Sequence, residues 1–166
     1  MKFTRIVLTG ALIAWTTLLT HGQATQEKEV ADVIHTLFKG MLASDSAMVR
    51  SVFADNVSMS SVFLNQKGEP GIQHESSIDN FVKRVGESKP GVLAEEIWDL
   101  TVRIDGNLAQ AWCSYAFYYQ GKFHHCGVDA FHFFKDDKGW KIFHLADTRT
   151  VKGCVIPKEI QDKYKP

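Results

Sequence analysis

The residues best suited to chemistry lie late in the chain, where Trp112, Ser114, His125, Asp129, Phe131 and His144 fall within three long β-rich stretches. If Gln120-Gly121 is a two-residue hairpin turn, Tyr119 pairs with Lys122. The register then follows from the turn and sets Trp112 opposite Asp129, Ser114 opposite Gly127 and Ala116 opposite His125. A four-residue loop over 136–139 likewise sets Phe131 opposite His144 and Asp129 opposite Ala146. One sheet face is therefore expected to collect all six residues. Aromatic walls with a few polar groups have the composition of a ligand pocket, because the walls supply burial and the polar groups fix orientation. Burial would raise the Asp129 carboxyl and suit it to proton transfer or to hydrogen-bond donation. The expected roles are Asp129, His125 and His144 as acid–base groups, with Trp112, Ser114 and Phe131 as ligand contacts.

Each of these residues also has a plainer reading. An Asp129 facing solvent, or one satisfied by the Trp112 indole N–H, would leave the same sequence. Strand histidines often only complete a hydrogen bond. His124 must point away from the face of His125, and Asp147 with Arg149 reads as an ion pair at the sheet rim.

The elements that position these residues are legible from periodicity. Val30, Val33, Ile34, Leu37, Phe38, Met41 and Leu42 form one helical stripe, which predicts a helix over 29–43. A short second helix over 47–53 follows the capping residues Ser44-Asp45-Ser46, and Ser76 with Asp79 opens a third carrying Ile78, Phe81, Val82 and Val85 on one side. A strand is expected over 57–63. After Pro90-Gly91, strands over 92–104, 108–119, 122–134 and 140–150 are separated by turn signals, the pattern of an antiparallel meander. Strands this long coil as they twist. The fold class is thus α+β: a cone-shaped curved antiparallel sheet whose concave face is covered by three N-terminal helices, with a cavity at the open end. The polar tail after Lys158 is expected to be a frayed or surface end.

Lys2 and Arg5 precede an uncharged run that ends in small residues before Thr25, the pattern of a cleaved export signal over 1–24. Residues 25–166 then make one domain. The expected location is secreted or periplasmic, with no membrane span after signal removal. The chain has 19 basic and 19 acidic residues and no basic stripe, so no nucleic-acid face is expected. Cys113, Cys126 and Cys154 lack metal-ligand spacing, which argues against a structural zinc; they allow one disulfide at most and leave a thiol free.

The chain resembles the nuclear-transport-factor-2-like superfamily over 27–154, and within it the SnoaL-like and lumazine-binding-like exported members. The carriers are the helix stripe ending Ala43-Ser44-Asp45, the turn Phe53-Ala54-Asp55-Asn56-Val57, and His125-Cys126-Gly127-Val128-Asp129-Ala130-Phe131 followed by Gly139-Trp140-Lys141-Ile142. The superfamily includes ketosteroid isomerase, and Asp129 takes the place of its oxyanion-hole aspartate. The isomerase's general base would fall near Ser61 and its tyrosine near Leu37, so the resemblance does not carry steroid isomerisation to this chain. SnoaL-like cyclases and scytalone dehydratase use Asp and His in the same cavity. The expected function is an exported pocket domain for a small apolar or aromatic molecule, without a cofactor. The alternative is a cofactor-independent isomerase, dehydratase or cyclase in which Asp129 works with a histidine. Superfamily relatives often pair through the sheet, so a homodimer is expected, joined by the face of Tyr115, Phe117 and Phe143.

Overall fold

The computed structural model describes the backbone of residues 10–165 and the side chains of residues 22–165. The expected signal segment therefore lies partly outside the described residues. Helix α1 runs Gly10–Ala43, α2 Ser46–Ser51 and α3 Ile78–Glu87. Strands β1 to β6 run Phe53–Leu64, Pro70–His74, Leu93–Asp105, Leu108–Tyr119, Lys122–Asp136 and Gly139–Arg149, and α4 runs Lys158–Lys163.

The stripe on α1 explains where it sits. Val30, Ile34, Leu37, Phe38 and Met41 are buried in the main core, facing Ala109, Ala111, Cys113, Phe131 and Phe133 from the sheet. Burying one such aliphatic side chain stabilises by roughly 1.5–3 kcal/mol, so the stripe holds α1 across the concave face. Ser44 adopts a left-handed φ of 56° and ends the helix, after which Asp45 caps α2 by accepting from the Met48 amide at 2.9 Å. The cap of α3 is Ser77 rather than Ser76, accepting from the Asn80 amide at 3.1 Å.

The six-stranded sheet has the order β2-β1-β6-β5-β4-β3. β3 to β6 form the expected antiparallel meander, while β1 joins β6 in parallel and β2 hairpins onto β1, which makes the sheet mixed. The register of the meander departs from expectation at two bulges. The Gln120-Gly121 turn holds, with Tyr119 opposite Lys122 and Tyr118 opposite Phe123, but Phe117 then meets His125 and His124 is left over. Phe143 is similarly left over between the Phe133–Ile142 and His132–His144 pairs. A bulge adds one residue to one strand and increases its local twist and bend. It also shifts every later pair, so Asp129 lies opposite Cys113 and Asp147, not Trp112 and Ala146.

The tail is not frayed. Ile160 packs with Ala94, Ala116 and Tyr118 on the outer sheet face, Tyr164 stacks on Tyr118 at 3.6 Å, and a Cys126–Cys154 disulfide ties the segment before α4 to β5. Cys113 is the remaining thiol and is buried.

Candidate functional site

Side chains that alternate inward along the curled strands meet α1 and α3 around a cavity of about 510 Å³, within the usual range for small-molecule sites. Its apolar wall includes Phe38 and Met41 from α1, Phe81 from α3, and Leu93, Phe117 and Leu145 from the sheet. Its polar residues are Glu95, Tyr115, Tyr119, His125, Asp129, Asp147 and Arg149 from the sheet, with Arg84 and Glu87 on α3 and Ser88 at its end. Asp129 is only 3% exposed and Tyr115 1%, whereas Arg84, Glu87 and Arg149 are exposed, so the acids and Tyr115 define the closed end and the others the rim.

Asp147 is the saturated acid. It accepts from Ser61 Oγ at 2.6 Å, from Tyr115 Oη at 3.2 Å and from Arg149 Nε at 2.6 Å. Tyr115 also donates to the Thr148 carbonyl at 2.9 Å. Asp129 contrasts with it: its Oδ2 is buried without a donor. The group that Asp129 does meet is the Glu95 carboxyl, and two acids in contact must share a proton. Burial, then the Glu95 charge, holds the Asp129 carboxyl well above its ordinary range, with the proton donated toward Glu95. Burial likewise raises Glu95 to about 7, partly countered by the bond from Asp129. Glu95 is half-buried and lines the cavity. The Cys113 thiol is pushed far up by burial and then by the Asp129 and Glu95 charges, which makes it an inert neighbour rather than a nucleophile.

His125 is buried on the cavity face, edge-on to Tyr115 with centroids 5.5 Å apart. It precedes Asp129 by four residues of strand, about 13 Å of backbone, and its Nδ1 hydrogen-bonds His124 Nδ1 at 2.7 Å. Burial, with Arg149 and His124 adding to it, lowers its pKa to about 4, so the ring is neutral. Phe131 shares the face of Asp129 but is 1% exposed and packs edge-to-face on Phe38 at 6.4 Å, as core rather than cavity wall.

Trp112, Ser114 and His144 do not belong to this site. The His124 bulge moves Trp112 and Ser114 out of phase with Asp129, placing them opposite Ala130 and Val128 on the outer face, where Trp112 is 57% exposed. The Phe143 bulge does the same to His144, whose Nδ1 lies 3.0 Å from that of His132. Conversely, Tyr115 and Phe117 face the cavity, so the expected pairing surface loses two of its three members. Glu95 and Asp147 are the site residues that the turn-based register passed over. A signal for Glu95 exists, because it occupies the apolar phase of the alternation Leu93-x-Glu95-x-Ile97. Asp147 and Arg149 do form the expected ion pair.

No family model and no curated protein matches the sequence. Solved structures do match. A nuclear-transport-factor-2-like protein from Shewanella baltica is 12% identical with a TM-score of 0.58, covering 76% of this chain and 95% of its own. One from Salmonella enterica serovar Typhimurium is 18% identical with a TM-score of 0.59, covering 80% and 96%. A candidate dehydratase of the same family from Streptomyces avermitilis is 14% identical with a TM-score of 0.58, covering 78% and 99%.

Proposed function

We propose, from the premise that this chain has the nuclear-transport-factor-2-like fold, that it is an exported binding domain for a small, largely apolar molecule. Such a ligand rests its body between α1, α3 and the sheet and its polar end on the Glu95–Asp129 pair. The observation that carries this reading is a buried Asp129 carboxyl with an orphaned oxygen, sharing with Glu95 the polar end of an apolar cavity of about 510 Å³. A buried carboxyl without a donor costs free energy that a bound partner can recover. The test is native mass spectrometry of protein purified from its own host, repeated with Asp129→Asn. A co-purified small molecule whose affinity falls by about 1–3 kcal/mol in the variant supports the reading; binding unchanged by the substitution removes Asp129 from the site.

A second reading has a specific observation in its favour. Glu95, raised to about 7, is suited to act as a general base near neutral pH, with Asp129 as the acid beside it. That arrangement fits cofactor-independent isomerisation, dehydration or cyclisation. In it the acid–base partner of Asp129 is Glu95 instead of a histidine. Turnover lost by a factor on the order of 100 in Asp129→Asn, at unchanged stability, distinguishes it from simple binding.

Two further features belong to this proposal. Export is supported by the 1–24 pattern and by the Cys126–Cys154 disulfide, since such bonds persist in oxidising compartments. No helix among the described residues is long and apolar enough to cross a membrane. A homodimer is supported by the outer sheet face, where Trp112, Phe134 and Phe143 are 57%, 38% and 36% exposed.

A further inference from the structure

We propose that the polar end of the ligand is a cationic amine, seated between the carboxyls of Glu95 and Asp129. This rests on the reading of the cavity as a binding pocket and adds the chemical class of its occupant.

The cations near the cavity are already matched. Arg149 binds Asp147 through Nε at 2.6 Å, and Arg84 grips Glu75 from the rim. The hydroxyl donors beside the acids are committed too, Ser61 to Asp147 and Tyr115 to Asp147 and the Thr148 carbonyl; of the wall's other hydroxyls, Ser88 donates to the Arg84 carbonyl and Tyr119 is 45% exposed, at the rim. Glu95 and Asp129 are left over. Among the described residues no N–H, alcohol or phenol donates to either carboxyl, Arg149 acts on both only at a distance, and Asp129 Oδ2 is buried and orphaned. The closed end thus offers acceptors and negative charge, and its one mobile proton is held between the two acids.

That imbalance discriminates between ligand classes. A carboxylate at the closed end would lie against two acids, which repel it, with the nearby Arg149, Ser61 and Tyr115 donors already engaged by Asp147. A carbonyl needs a donor and would have to take the proton the acids share. An ammonium group brings three donors and the missing charge, so both carboxyls gain a charge-assisted partner. Phe38, Phe81 and Phe117 on the wall favour the same sign, because ring faces attract cations. A bare metal ion fits less well. Among the described residues no group of three or more His, Cys, Asp or Glu is arranged to hold one, and the wall is apolar.

The experiment uses three matched indole probes, tryptamine, tryptophol and indoleacetate, titrated into the folded protein by calorimetry with NMR shifts of cavity residues as locator. Tryptamine is expected to bind about tenfold or more tightly than tryptophol, and indoleacetate most weakly. Glu95→Gln and Asp129→Asn should each erase most of the amine's advantage while leaving tryptophol within about threefold of its original affinity. If either variant fails to fold, the order of the three probes on the original protein decides alone. Tryptophol or indoleacetate binding in the cavity as well as tryptamine overturns the amine assignment and leaves the pocket reading standing. Failure of all three to perturb cavity residues overturns both.

Discussion

Tyr115 donates its hydroxyl to the Thr148 carbonyl at 2.9 Å, across the position where Gly127 carries no side chain. A Cβ on Gly127 would lie 1.8 Å from that same carbonyl oxygen and 2.7 Å from its carbon. Backbone cannot yield as a flexible side chain does. Gly127→Ala is therefore expected to push β6 away from β5, break the Tyr115 bond and destabilise the protein by about 3 kcal/mol. A denaturant midpoint equal to that of the original protein would contradict this.

The acid pair and His125 act in opposite directions on stability. Glu95 is raised from 4.5 to about 7 and Asp129 well above its ordinary value, so the folded protein holds protons that the unfolded chain releases. That contribution is fully present below the ordinary carboxylate range and is lost as pH rises through the raised values. His125 is lowered from 6.5 to about 4, so between those values the unfolded chain binds the extra proton and stability rises with pH. The lowered His144 adds in the same sense. The unfolding free energy should hence fall more steeply above pH 6.5 than between about pH 4.5 and 6.5. Urea titrations across this range check it. Asp129→Asn should flatten the upper limb and His125→Gln should steepen the lower one.

The disulfide closes a separation of 28 residues. Chain-entropy reasoning gives it roughly 3–4 kcal/mol, and it anchors the segment that brings Ile160 and Tyr164 onto Tyr118. Reductant, or Cys126→Ser with Cys154→Ser, should lower the unfolding midpoint. A thiol reagent should label nothing in the folded protein and Cys113 alone after unfolding without reductant. Rapid labelling of folded protein would show Cys113 to be accessible.

Assembly is tested on the outer face. Sedimentation of the original protein at micromolar concentration should report a homodimer, and Phe143→Glu combined with Phe134→Glu, which charges two rings lying 6.5 Å apart, should release monomers. A monomer before substitution refutes the dimer. Trp112→Phe should leave cavity binding unchanged, because Trp112 points away from it.

The architecture was largely legible because its signals are local. The α1 stripe, the Asp45 cap and the turns at Gly106, Gln120-Gly121 and Gly139 each act over a few residues, and the elements they bound were expected within a few positions, except that α1 begins at Gly10 where its apolar stripe marked a start only at Glu29. The faces were not legible. His124 and Phe143 are ordinary strand residues with no Gly or Pro to mark a bulge, yet each decides which residues share a side with Asp129. Counting from a turn assumes uninterrupted alternation, and that assumption sent Trp112 and His144 to the wrong side. Asp129, His125 and Phe131 survived because they lie on one strand, where their mutual phase needs no register at all. The parallel pairing of β1 with β6 was invisible for a different reason, as it joins segments distant in the chain with no turn between them.

The bulges bear on how this chain is to be compared with proteins of the same fold. The partners around Asp129, Cys113 on one side and Asp147 on the other, are those of regular hairpins from which His124 and Phe143 have been omitted. Each is thus a supernumerary residue, and a homologue one residue shorter at either place keeps every cross-strand neighbour of the acid pair while losing some curl in the sheet. Alignments should place single gaps at these two positions. A gapless alignment through either hairpin would equate inward residues with outward ones and assign the acids of this cavity to a relative's solvent-facing side.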